Sequence, residues 1–141
     1  GMNTSALIQA GENKIAIFER KVLRVILGGI KINNSWRRRY NTELYKIYRE
    51  PDIVKFIKIH RMNWAAHIFR RNDDSNLKKI LLHKPLTNRK RGRPRLRWLD
   101  LVETDFLTLK EKNWRTSVKS REKWIRIQRK ALAHPGLSSQ I

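Results

Sequence analysis

The feature that most limits what this chain can fold into is the spacing of its apolar residues, which recur at intervals of three and four rather than alternating with a period of two. Over residues 12–27, Ile15, Phe18, Val22, Val25 and Ile26 draw one apolar stripe on a helix that Gly28-Gly29 ends, with Lys14, Arg20, Lys21 and Arg24 opposite. Asn41 is suited to cap a short helix through Tyr48 with Leu44, Ile47 and Tyr48 inward, Tyr45 also being assigned to the core. Pro51 then opens the longest helix, with Glu50 and Asp52 near its positive end and Ile53, Phe56, Ile57, Met62, Trp64, Ala65, Ile68 and Phe69 supplying apolar faces. Ala65-Ala66 lets a neighbouring helix come close, and His67 beside them reads as a hydrogen-bonded structural histidine. After the Asn72-Asp73-Asp74-Ser75 turn, Leu77, Ile80 and Leu81 mark a short helix. Leu96, Leu99, Val102, Phe106 and Leu109 predict the next, with Asp100, Glu103 and Asp105 as its acidic face. Asn113 caps a turn carrying Trp114 and Val118; Ser120 caps a last helix with Trp124, Ile127 and Leu132, which His134-Pro135-Gly136 stops.

No segment reads as a strand, so the expected class is all-α: a small multi-helix domain with a basic Gly/Pro loop between two helical halves. The expected layout is a polar tail over 1–12, one helical domain over 13–137 and a tail over 138–141. Within the domain, a first helix covers 13–28, one helical half 36–82, the basic loop 83–95 and the C-terminal half 96–134. A chain of 141 residues buries about two thirds of the surface its unfolded form exposes, enough for a core of its own.

Charge then narrows the partner. Lys and Arg number 33 against 12 Asp and Glu, a net +21, which points to a polyanion, with nucleic acid, RNA and/or DNA, in first place. A membrane partner is not expected, because the charge is spread along the chain and no apolar run approaches the roughly 18 residues of a spanning helix. With no signal peptide in view, the expectation is a soluble, intracellular protein, and a nuclear one. Without cysteine there are no disulfides and no thiolate zinc sites, so any grip on nucleic acid must come from helices and basic loops.

The densest basic stretch is Arg89-Lys90-Arg91-Gly92-Arg93-Pro94-Arg95-Leu96-Arg97-Trp98. Seven of the fourteen residues over 84–97 are Lys or Arg and none is acidic, so the segment cannot neutralise itself. Two readings fit. Arg-Gly-Arg-Pro within a basic run has the makeup of an AT-hook that lies in the minor groove of A·T-rich duplex. Alternatively, Pro94 stands near the first position of a helix, Gly92 is the turn before it, and the arginines clamp phosphate. Trp36-Arg37-Arg38-Arg39-Tyr40 interleaves aromatics with cations, which suits phosphate contact by Arg37, Arg38 and Arg39; Lys58 and Arg61 add a basic side to the long helix.

Catalysis is not expected. Asp73-Asp74 reads as a polar turn, because a polymerase pair needs a β-hairpin and a third carboxylate on a neighbouring strand. Pro51-Asp52 lacks the later acidic-x-Lys element of a nuclease, and no Walker-type phosphate loop or nucleophile with a His partner is present. No cofactor, metal or small-molecule substrate is expected.

Taken together in collinear order, these residues carry a resemblance. The relevant segments are Phe18-Glu19-Arg20-Lys21-Val22-Leu23-Arg24, Trp36-Arg37-Arg38-Arg39-Tyr40-Asn41-Thr42-Glu43-Leu44-Tyr45 and Glu50-Pro51-Asp52-Ile53-Val54-Lys55-Phe56-Ile57-Lys58. They continue with Arg61-Met62-Asn63-Trp64-Ala65-Ala66-His67-Ile68, Arg91-Gly92-Arg93-Pro94-Arg95-Leu96-Arg97-Trp98, Asn113-Trp114-Arg115, Arg121-Glu122-Lys123-Trp124 and Ala133-His134-Pro135-Gly136-Leu137. The chain resembles the C-terminal, thumb and post-thumb region of the reverse transcriptase of non-LTR (LINE-type) retrotransposons, departing from it at Ala66, where the family more often has Gly. The resemblance implies that residues 13–28 form a thumb-like helix, that the palm's catalytic aspartates are absent, and that the region grips RNA or DNA without extending a primer. It also implies an upstream polymerase domain as a partner. The alternative function is a protein-interaction or structural module that docks through the apolar first helix.

Overall fold

The computed structural model describes residues 4–83 and 97–139. Their order is α1 (Thr4–Leu27), β1 (Ile30–Ile32), β2 (Ser35–Arg37), α2 (Asn41–Tyr48), α3 (Ile53–Phe69), α4 (Asn76–Leu82), α5 (Trp98–Thr108), α6 (Trp114–Ser117) and α7 (Arg121–Ala133), followed by a 3₁₀ turn at Pro135–Leu137. The chain is mostly helical, in line with the apolar spacing, and falls into two compact units, residues 1–57 with 138–141 and residues 58–137.

The expectation of no sheet is corrected by one small antiparallel hairpin that pairs Ile30 with Arg37, Lys31 with Trp36 and Ile32 with Ser35. Its turn residues, Asn33 and Asn34, both have positive φ, 50° and 65°. A two-residue loop with that backbone matches the twist of paired strands, and Asn tolerates it better than other side-chain-bearing residues. The strands are too short for a period-two pattern to show, so Asn-Asn was the signal.

In the first unit, α1 begins at Thr4, where a tail was expected, because the single Gly11 costs a helix of this length only about 1 kcal/mol. It is also the longest helix, at 24 residues against 17 for α3, correcting the order expected. The stripe of Ile15, Phe18, Val22, Val25 and Ile26 is not the buried face: all five are exposed, Val25 at 85%. The row one residue on is the covered one. Leu23, with half-buried Leu27, packs on Leu44 and Tyr45 of α2, and Ala16 is buried as well. Glu19 belongs to the same row, at spacings of three and four, and its carboxylate accepts from the Tyr45 hydroxyl at 2.8 Å and the Ile53 N–H at 3.1 Å. Burial and that hydrogen bond push the Tyr45 phenol well above its ordinary pKa. A short α2 covers only one side of α1, so Ile47 and Tyr48, expected inward, remain exposed too.

Two helix starts differ from expectation. The α2 cap is Tyr40, whose N–H is accepted by Glu43 at 2.7 Å, so Asn41 is already helical and its side chain accepts from Arg24 instead. For α3 the cap is Asp52, not Pro51: its carboxylate accepts from the Lys55 N–H at 3.1 Å, the N-cap to N3 bond.

The second unit holds the larger core. Met62, Ala65, Ala66 and Phe69 of α3 meet Leu99, Val102 and Phe106 of α5, Trp114 of α6 and Trp124, Ile127 and Ala131 of α7. Ala65 and Ala66 are fully buried, as the close approach of a helix demands. Phe106 and Trp114 stack with centroids 4.5 Å apart, and Phe69 meets Trp114 edge-on at 5.0 Å. Phe56, Trp64 and Leu132, expected inward, are exposed. His67, read from the sequence as a hydrogen-bonded structural histidine, is exposed and meets Trp64 edge-to-face at 5.9 Å. Among the described residues no helix is long and apolar enough to cross a membrane.

Candidate nucleic-acid interface

Three of the basic residues singled out in the sequence, Arg37, Arg38 and Arg39, are brought to one hollow of about 620 Å³ in the first unit, together with Lys21 and Arg24 of α1 and the ring of Trp36. The local sequence explains the hollow. Gly28 ends α1 with φ +72°, its N–H bonded to the Arg24 carbonyl at 2.9 Å, which turns the chain into the hairpin. At Gly29 a Cβ would lie 2.9 Å from the Arg37 carbonyl oxygen, so only glycine lets the two strands close there. Trp36 stands with 70% of its surface exposed, paired across the hairpin with Lys31.

The arginines are held by partners that fix their direction. Arg37 forms a bidentate pair with Glu43 at 2.8 and 3.0 Å and lies 4.4 Å from the Tyr40 ring centroid. The Arg37 fork and then the Tyr40 N–H hold the Glu43 carboxyl down to about 2, so it is ionised at neutral pH and keeps Arg37 charged. Arg39 donates to the Gly28 carbonyl at 3.1 Å, while Arg24 donates to the Arg39 carbonyl at 3.0 Å and to Asn41 Oδ1 at 2.7 Å. Arg38 and Lys21 are exposed and have no partner among the described residues. The result is two free cations and three fixed guanidinium groups around an apolar floor that includes an uncovered indole.

The other sequence-predicted residues are elsewhere. Arg61 turns its fork onto Asp105, at 2.9 and 3.2 Å with side chains 18% and 5% exposed, and so ties α3 to α5 inside the second unit. Lys58 is half-buried on α3. Arg97 is the N-cap residue of α5 and donates to the carbonyls of His83 at 3.0 Å and Leu81 at 3.4 Å, joining the two flanks of the basic loop. Helix α5 opens at Trp98, and Gly92 and Pro94 of the helix-start reading lie outside the described residues. Arg89, Lys90, Arg91, Gly92, Arg93, Pro94 and Arg95 lie outside the described residues, and the hook reading with them.

Lys21 and Arg24 were placed on a solvated helix face by the sequence; their positions two turns and one turn before Gly28 were no signal for a site until the hairpin folded back on α1. Among the described residues no group of three or more His, Asp or Glu could hold a metal ion. Compared with protein-family models, curated proteins and solved structures, the chain matches none of them.

Proposed function

We propose that this chain is a nucleic-acid-binding helical module that grips RNA and/or DNA and has no polymerase centre of its own. The observation that carries it is the hollow lined by Lys21, Arg24, Arg37, Arg38 and Arg39 together with exposed Trp36. Cations at the rim suit phosphates, and an uncovered indole suits the face of an unpaired base. The resemblance to the C-terminal region of non-LTR retrotransposon reverse transcriptases points the same way, and with it go a nuclear location and an upstream polymerase domain as partner. Lys58, Arg97 and the basic residues over 89–95 add further positive charge for phosphate in this reading, whereas Arg61 is engaged with Asp105 within the second unit.

A second reading is favoured by one observation, the exposed stripe of Ile15, Phe18, Val22, Val25 and Ile26 on α1, which suits a protein partner. The two readings separate on titration of labelled RNA, single-stranded DNA and duplex DNA at several salt concentrations. Nucleic-acid binding gives an affinity that falls with salt with a log–log slope steeper than about −3, each phosphate contact contributing about −0.9 on duplex and about −0.7 on single strands. Salt-insensitive binding, or none near physiological salt, favours the docking module. Primer extension by the purified protein with any metal ion would overturn the absence of a polymerase centre.

A further inference from the structure

A second basic hollow, also of about 620 Å³, lies wholly within the second unit, where the end of α3, the turn before α4 and the start of α7 meet. It is lined by Arg70, Arg71, Lys78, Lys119 and Arg121 against the single carboxylate of Asp73. That carboxylate is taken: the buried Lys78 ammonium donates to Asp73 at 2.7 Å and to the carbonyls of Arg71 at 3.3 Å and Phe69 at 3.4 Å. Arg70 donates to the Val118 carbonyl at 3.1 Å, which pins the end of α3 beside the segment that leads into α7. Burial, and then the charge of Arg121, hold the Arg70 guanidinium below its ordinary pKa, so the fold keeps two like charges near each other. Arg71, Lys119 and Arg121 are exposed and their side chains make no hydrogen bond or close ion pair among the described residues, although the charge of Lys119 also acts on the Asp73 carboxylate. The fold thus gathers five cations around one carboxylate that Lys78 already holds, and leaves positive charge in excess at the positive end of α7.

We propose that this hollow is a phosphate site, with one phosphate group held by Arg71, Lys119 and Arg121. A tetrahedral, multiply charged anion accepts from several donors at once, which a single carboxylate does not. A metal cation is excluded by the same surplus of positive charge. The hollow is larger than a lone phosphate needs, so the group can belong to a polynucleotide backbone or be free; the site does not depend on the function proposed above.

The test follows thermal unfolding in sodium phosphate and in sodium chloride of equal ionic strength, and titrates labelled duplex DNA across salt, for the unmodified protein and for R71Q/K119Q/R121Q. All three side chains are exposed, so the variant keeps the fold, which its melting in chloride verifies. The unmodified protein should melt about 3 °C or more higher in phosphate at about ten times Kd, and the variant should lose that rise. If the source is a polynucleotide, the variant's log–log salt slope also becomes shallower by about 0.9 for each phosphate released. Loss of the phosphate effect with the slope unchanged assigns the site to free phosphate groups. If neither RNA, single-stranded DNA nor duplex DNA binds in the titrations described above while the phosphate effect disappears in the variant, the function proposed above fails and the site stands. A variant that matches the unmodified protein in both arms overturns the site.

Discussion

Asp52 uses one buried carboxylate for two tasks: it caps α3 through the Lys55 N–H, and it accepts from the Ser138 hydroxyl and from the N–H and hydroxyl of Ser139. Burial by itself would raise its pKa, but the hydrogen bonds from Ser138, Lys55 and Ser139 outweigh it and hold the group below the ordinary carboxylate value. A carboxylate depressed in the folded state stabilises above its unfolded pKa of about 3.9 and loses that contribution as pH falls through the lower folded value. Asp52→Ala should therefore cost about 2–3 kcal/mol in denaturant melts at neutral pH, with the deficit shrinking in acid. An unchanged melt would remove the residue from the cap. Phe106 gives the second expectation at this scale: fully buried between Trp114 and Trp124, it should cost about 3–5 kcal/mol on truncation to Ala. Trp98, the first residue of α5, is 36% exposed. Trp98→Ala should cost clearly less than Phe106→Ala in the same assay.

Among the elements, the hairpin is small but positions much of the first hollow. Its two-residue turn requires left-handed backbone at Asn33 and Asn34, and it presents Trp36, Arg37 and Arg38 to the hollow. A β-branched residue resists that backbone, so Asn33→Val should destabilise by about 1–2 kcal/mol. Loss of the cross-strand amide contacts between Lys31 and Trp36 in NMR spectra would accompany it. Intact contacts at full stability would show that the turn does not set the register. Helix α1 carries the opposite kind of surface. Phe18 is 66% exposed, so Phe18→Asp should shift the melting free energy by no more than about 0.5 kcal/mol. A large loss of stability would mean that the stripe is covered within the protein; a small one leaves it available to a partner.

For the whole molecule, the net charge of +21 acts on stability and on binding with opposite signs. Several acidic side chains are used for internal pairs, among them Asp105 with Arg61, Glu103 with Arg115, and Glu111 with Arg126 and Lys130. The remaining cations repel one another in the compact state, and salt screens that repulsion over a Debye length of about 10 Å at 0.1 M. Moderate sodium chloride should therefore raise the melting temperature of the free protein while it weakens any complex with nucleic acid. Melting and titration over one salt series check this, and a melting temperature that falls with salt would mean that the internal pairs outweigh the repulsion.

The sequence by itself determined the helical class, the order of the helices and most of the second unit's core, because a spacing of three and four repeats over enough residues to define a face. Leu99, Val102, Phe106 and Leu109, with Trp114, Val118, Trp124 and Ile127, were legible in this way and are buried. The basic character was legible too, since charge adds along a chain whatever its fold. Only the tertiary structure decided which face of α1 is covered, because a helix buries whatever row its neighbour reaches, and α2 reaches Leu23 rather than the bulkier stripe. Only it separated the arginines that brace the protein from those that remain open: Arg61 faces a buried carboxylate and Arg38 faces none, a difference made by Asp105, forty-four positions further along the chain. The hollow over 70–121 was illegible for the same reason, since hydrogen bonding between Arg70 and Val118 joins residues that no local pattern connects.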